Sequence, residues 1–291
     1  MSILITGSTG KIGSQVVSKL AGNGVQLRAM TRSPEKASFP TGVEAVKGDL
    51  LDTTSVRQAL KGVSTLFLLV PNAPDEITQA MNTVGLAHEA GVRGIVYLSV
   101  TRSDVFADVP HFASKHAVER MMAQRGIGAT VLRPSYFIQN DIGQKDPMLG
   151  AGIYASPIGD KGVSMVDTDD IAEAAARELL RREKSATPLP TEVYELVGPD
   201  ALTGDAVARI WTEALGRDVK YGGNGLEAFE GKIGQFAPGW LAYDMRLMMH
   251  RYQQDGAAAT EADLERLATL LGRAPRSYRD FAQATAKGWK A

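Results

Sequence analysis

The chain has 291 residues, 44% hydrophobic and 22% charged, with a formal net charge of −1. Such a composition suits a globular protein with one large domain and room for a smaller companion, and the near-zero charge excludes nucleic acid or an anionic membrane as the main partner. Cysteine is absent, which excludes disulfides and thiol chemistry; no apolar run is long enough to span a bilayer and no leader precedes a first strand at residue 2, so a cytoplasmic location is expected.

Ser2 to Thr6 is a β-branched run that reads as a buried parallel strand. It breaks into a turn with Gly7, Gly10 and Gly13, and a helical pattern runs from Lys11 to Leu20. Strand, glycine-rich turn and helix in that order are the context a dinucleotide fingerprint requires. Glycine permits the tight turn and the close approach of a pyrophosphate, while the helix start offers free N–H groups and the positive dipole end. Ser8 and Thr9 add hydroxyl donors, and Lys11 and Ile12 complete the loop. A P-loop is excluded: Gly10-Lys11 is followed by Ile12 instead of Ser or Thr, and position 5 is not glycine.

The pattern then alternates. Val25–Thr31, Glu44–Lys47, Thr65–Val70, Gly94–Val100 and Ala129–Leu132 read as strands. Thr53–Leu60, with Asp52 or Thr53 as N-cap, Asp75–Ala90 and Pro110–Arg125 read as helices. Alternation of this kind predicts βαβ units on a doubly wound parallel sheet, an α/β fold of the Rossmann type. From Pro134 the rhythm changes. Ser135–Gly162 reads as irregular, Asp167–Glu183 as a helix, Glu192–Val197 as a strand and Leu202–Trp289 as mostly helical. The tail carries Trp211, Trp240, Tyr243, Tyr252, Met245, Met248 and Met249. These form either a small-lobe core or an apolar substrate wall.

The end of the second strand selects the dinucleotide. A carboxylate there takes the ribose 2′-hydroxyl of NAD, whereas a cation accommodates the 2′-phosphate of NADP. The chain offers Arg32, with Ser33 beside it and Lys36 nearby, and no acid at the strand end. NADP(H) is therefore expected over NAD(H), with Lys11 and Lys36 as either further phosphate contacts or solvated surface charges. Leu69, Val70 and Pro71 end the fourth strand and face the crevice of an open α/β sheet, and Ser99 ends the fifth. Asp167, Asp169 and Asp170 resemble a metal cluster, but read better as the acidic first turn of a helix. No metal is expected.

Taken together, Thr6 to Gly13, Thr31 to Lys36, Lys47-Gly48-Asp49-Leu50, His111 to Lys115 through Glu119, Leu132 to Phe137 and Ala274 to Phe281 resemble the atypical short-chain dehydrogenase/reductase superfamily, in its NmrA-like branch. The resemblance covers nearly the whole chain. It implies a Rossmann domain over 1–150, with 163–187 packing back onto it, and a smaller, mostly helical substrate lobe over 188–291. The branch holds quinone reductases, dye reductases, plant phenylpropanoid reductases and non-catalytic redox sensors.

By the same resemblance Asp49, with Leu50, borders the adenine, although a turn or cap carboxylate is the rival role. Pro134, Tyr136 and Phe137 lie where the family covers the nicotinamide; Phe137 and Asn140 are either acceptor contacts or loop packing, and Trp240 is expected on the acceptor side. Ordinary members use Tyr-x-x-x-Lys; here the spacing is His111-x-x-x-Lys115. Lys115 would orient the cofactor and stabilise developing negative charge. His111 is either a proton donor or a helix-start residue after Pro110. The missing tyrosine favours acceptors that delocalise charge after hydride addition, and argues against a sugar-nucleotide epimerase. The expected protein is an NADP(H)-dependent oxidoreductase, monomeric or homodimeric, acting on a small quinone-like acceptor. The alternative is a redox sensor that binds NADP(H) without turnover.

Overall fold

A computed structural model describes residues 2–290, the side chain of Lys290 excepted. Its first half alternates: β1 (Ser2–Ile5), α1 (Lys11–Leu20), β2 (Gln26–Thr31), β3 (Val43–Lys47), α2 (Thr53–Ala59), β4 (Thr65–Leu68), α3 (Glu76–Glu89), β5 (Gly94–Leu98), α4 (Pro110–Gln124) and β6 (Ala129–Pro134). Then come α5 (Lys145–Gly150), β7 (Ile153–Tyr154), α6 (Thr168–Lys184) and β8 (Glu192–Leu196). The remainder is α7 (Gly204–Leu215), β9 (Lys220–Tyr221), α8 (Leu226–Ile233), α9 (Gly239–Asp255), α10 (Glu261–Leu271) and α11 (Tyr278–Lys290).

Seven strands form one sheet in the order β3-β2-β1-β4-β5-β6-β8. Strands β1 to β6 pair in parallel, with Ile5 beside Ala29 of β2 and Phe67 of β4. Numbering runs outward in both directions from the β1–β4 junction, the switch point at which an open α/β sheet opens a crevice beyond its strand ends. All residues of β1, β4 and β5 are buried, as a sheet covered on both faces demands.

The chain divides into two compact units. One takes in the chain up to Ser103, His111–Arg133 and Thr168–Tyr194; the other Asp104–Pro110, Pro134–Asp167 and everything from Glu195. In the first, helices cover both sheet faces. Ala80, Val84 and Ala87 of α3 and Val118 and Met122 of α4 pack with Leu66, Leu68, Ile95 and Tyr97. On the opposite face α6 packs against α1, β4 and β5. There Glu183 accepts the Thr65 hydroxyl at 2.6 Å, and Arg182 Nε donates to Thr130 Oγ1 at 2.7 Å. Gly94 permits the approach: a Cβ there would lie 2.9 Å from Arg182 Cβ.

The second unit has its own core, in which the fully buried Trp211 stacks on Trp289 with ring centroids 4.8 Å apart. Met248, Met249 and Tyr252 are buried as well, which makes this part of the tail's aromatic and Met content core; Trp240 and Tyr243 are exposed.

Several boundaries differ from the sequence pattern for identifiable reasons. Strand β4 ends at Leu68 instead of Val70, because the Leu69 N–H is taken by Thr6 Oγ1 at 2.9 Å. Strand β6 runs on to Pro134, a final position where proline's missing N–H costs no ladder bond. The stretch expected to be irregular holds a 3₁₀ helix (Ile138–Gln144), α5 and β7. Each is too short to produce a readable period. Asp52 is the N-cap of α2, its Oδ1 accepting the Thr54 N–H at 2.9 Å.

Candidate functional site

The glycine turn leaves β1 at Gly7, whose φ of +60° lies in the left-handed region. A Cβ on Gly7 would stand 2.5 Å from Leu69 Cδ2, and one on Gly13 only 2.1 Å from the Gly7 carbonyl oxygen. Gly13 admits no other residue without moving backbone, and at Gly7 the Leu69 side chain would have to shift while the positive φ adds strain. The Gly10 N–H closes the turn on the Gly7 carbonyl at 3.0 Å. Gly10 then caps α1 with no side-chain bond, and the first helical turn holds no acid. The N–H groups of that turn thus meet no capping side chain, an arrangement suited to an anion.

The hydroxyl donor expected of Ser8 is not offered to this loop. Ser8 is fully buried and its Oγ donates to the Met30 carbonyl at 2.7 Å, tying the turn to β2. Ile12 points into the core, so only its main chain faces the turn; Thr9, Gly10 and Lys11 are exposed.

Arg32 is exposed immediately after β2, and Lys36 is exposed in the short 3₁₀ turn Pro34–Lys36. Asp49 takes the local role open to it: its Oδ1 accepts the Leu51 N–H at 3.0 Å, while Ser55 Oγ accepts its own N–H. Leu50 belongs to the core with Val56 and Leu60. After β4, Leu69 is half-buried, Val70 buried and Pro71 exposed.

Lys115 and His111 lie one turn apart on α4, where His111 packs edge-on against Phe112 at 4.6 Å. Lys115 Nζ is 2.5 Å from Glu76 Oε1, with the two side chains 13% and 3% exposed. Glu76 carries no readable signal in the sequence, because an acid in a helix's first turn normally complements the dipole in solvent. Ser99 and Ser103 both donate to Glu119 Oε1. Glu119 also receives Arg133 through two donors, Nη2 to Oε2 at 2.5 Å and Nε to Oε1 at 3.2 Å. Beside these carboxylates lies Tyr97, its hydroxyl buried without a hydrogen-bond partner. Burial, then the charges of Glu76 and Glu119, push its pKa well above the ordinary tyrosine value.

Pro134, Tyr136, Phe137, Asn140 and Trp240 all belong to the second unit. Tyr136 meets Tyr252 edge-on at 6.4 Å, and burial, reinforced by the Asp141 carboxylate, raises its hydroxyl pKa against hydrogen bonds from Ser156 and Asn140. Val166 bridges to the half-buried Phe137, while Asn140 and Trp240 are exposed. Asp169 pairs with Lys19 at 2.7 Å in the first turn of α6. Among the described residues no group of three or more His, Cys, Asp or Glu side chains is gathered as a metal site. None of the described helices is long and apolar enough to cross a membrane.

Sheet order and glycine turn define a Rossmann-type α/β protein. The chain belongs to the NmrA-like family, whose model matches residues 1–270. It is 29% identical to an NAD(P)H azoreductase of Xenophilus azovorans over 99% of both chains. It is 30% identical to a (4-alkanoyl-5-oxo-2,5-dihydrofuran-3-yl)methyl phosphate reductase of Streptomyces griseus, again over 99% of both. Among solved structures, the NADPH complex of a quinone oxidoreductase from Escherichia coli is similar, with a TM-score of 0.85 and 26% identity, over 97% of this chain and 99% of that one.

Proposed function

We propose that this chain is an NADP(H)-dependent oxidoreductase that passes a hydride to a small conjugated acceptor of the quinone type. The observation that carries the reading is the glycine turn, whose Gly7 and Gly13 have no space for a Cβ and whose following helix starts without a capping side chain. Such a cradle takes a pyrophosphate through main-chain N–H groups. The names of the relatives, an azoreductase, a dihydrofuranone phosphate reductase and a quinone oxidoreductase, support a conjugated acceptor.

Arg32, exposed after β2 with no acid at the strand end, takes the 2′-phosphate through its planar fork, with Lys36 and Lys11 adding charge. The main chain from Gly7 to Gly13 holds the pyrophosphate, and Asp49, Leu50, Leu69, Val70, Pro71 and Ser99 border the nucleotide. The reduced dinucleotide supplies the hydride. Lys115 Nζ stabilises negative charge developing on the acceptor oxygen, and His111 donates the proton. Pro134, Tyr136 and Phe137 cover the nicotinamide, and Phe137, Asn140 and Trp240 line the acceptor.

The test is NADPH oxidation against a panel of quinones, azo dyes and unactivated ketones. Turnover with the first two and none with ketones is expected. Turnover with no acceptor rejects the reaction, and tight NADPH binding in that case favours a redox sensor, the reading that His111 in place of tyrosine also permits.

A further inference from the structure

A carboxylate removed from water is costly unless a counter-charge and hydrogen bonds meet it. Glu76 is 2% exposed as a residue, yet it stands in the first turn of α3, a position where acids are ordinarily solvated. Its Oε1 meets Lys115 Nζ at 2.5 Å. Because α3 follows β4, its first turn lies toward the carboxyl ends of the strands, where the crevice of this sheet opens. The contact therefore ties the lysine's ammonium to that end of the sheet. A free lysine side chain samples many rotamers; one held by a buried carboxylate presents its charge at a single point.

We propose that Glu76 is the positioning residue of Lys115, fixing the ammonium at the crevice end of the sheet so that it meets acceptor and cofactor ribose as a preorganised charge. This rests on the reductase reading above. Glu76 itself touches neither substrate nor cofactor and acts through Lys115. Preorganisation of this kind matters because displacing a catalytic group by about 1 Å costs on the order of 10²-fold in rate.

The experiment is a cycle of Glu76→Gln and Lys115→Met in the full chain, reading kcat with a quinone, NADPH affinity by fluorescence, and the ¹⁵N-resolved ammonium signal of Lys115, which is visible only when its protons exchange slowly. Glu76→Gln is expected to lower kcat by about 10²-fold, to weaken NADPH binding no more than Lys115→Met does, and to have no further effect on kcat in the Lys115→Met background. An equal loss in both backgrounds marks a merely structural acid and overturns the proposal. If Glu76→Gln does not fold, Glu76→Asp keeps the charge and withdraws it by one methylene; kcat must still fall. If the wild type turns over no acceptor, the reductase reading fails alone and the ammonium signal decides: present in wild type and lost in the Glu76 variant supports positioning, unchanged overturns it.

Discussion

Thr6 and Leu69 are joined by one hydroxyl that donates to the Leu69 carbonyl at 2.8 Å and accepts the Leu69 N–H at 2.9 Å. This joint lies between β1 and β4, the pair at which strand order reverses, and it holds the first residue of the glycine turn against the end of the neighbouring strand. Thr6→Val keeps the shape and removes both bonds, leaving a main-chain N–H and carbonyl to find other partners. Denaturant unfolding is expected to show a loss of about 1–3 kcal/mol, whereas Thr6→Ser retains most of the stability. A valine variant as stable as wild type contradicts the role of this joint.

Gly13→Ala sets a methyl group 2.1 Å from the Gly7 carbonyl oxygen. Main chain cannot yield as a flexible side chain does, so the turn must open. Destabilisation of about 1–3 kcal/mol is expected together with loss of NADPH binding. Gly62→Ala is a contrasting control: its Cβ would meet nothing within 4 Å, so strain at its positive φ acts alone and NADPH binding should survive.

Arg32→Ala should weaken NADPH binding and leave NADH binding nearly as it was. Charge-assisted hydrogen bonds are worth about 1.5–3 kcal/mol, which predicts a shift in the NADPH:NADH affinity ratio of about 10- to 100-fold. Equal effects on the two nucleotides assign the 2′-phosphate elsewhere.

Asp141 gives the second unit a pH-dependent stability. It is fully buried, Tyr154 and Tyr278 donate to its Oδ2 at 3.1 and 2.5 Å, and its Oδ1 has no hydrogen-bond partner. Burial, opposed by these two bonds, pushes its pKa up to about 7. The facing hydroxyls of Tyr136, Tyr154 and Tyr278 are all raised and stay protonated over this range. A raised carboxyl pKa means that the folded state holds the proton more tightly than the unfolded chain, where it leaves near ~4. Its contribution is complete below that value and is lost as pH rises through about 7. Melting temperature should therefore fall between about pH 4 and 7, by the equivalent of roughly a few kcal/mol, and Asp141→Asn should flatten that slope. A wild-type slope unaltered in the variant assigns the effect to other groups.

The order of strands and helices was legible because β1, β4 and β5 are buried on both faces and read as nearly continuous apolar runs, each ended by a turn or helix signal. The glycine turn was legible because its backbone geometry leaves almost no choice of residue at Gly7 and Gly13. What depends on three-dimensional partners was not. Nothing local marks Glu76 as buried, since its sequence context matches a solvated helix start. Ser8 looked like a loop donor because the Met30 carbonyl that takes its hydroxyl lies on the next strand. Asp141 sits inside a stretch of short elements with no period, and its second buried partner, Tyr278, lies 137 residues further on.

The proposed reaction requires that the glycine turn hold a nucleotide. Isothermal calorimetry of the wild type against NADPH and NADH measures it directly. Saturable one-to-one binding is predicted, tighter for NADPH and abolished by Gly13→Ala; no heat of binding with either nucleotide, or full binding by the Gly13 variant, contradicts it.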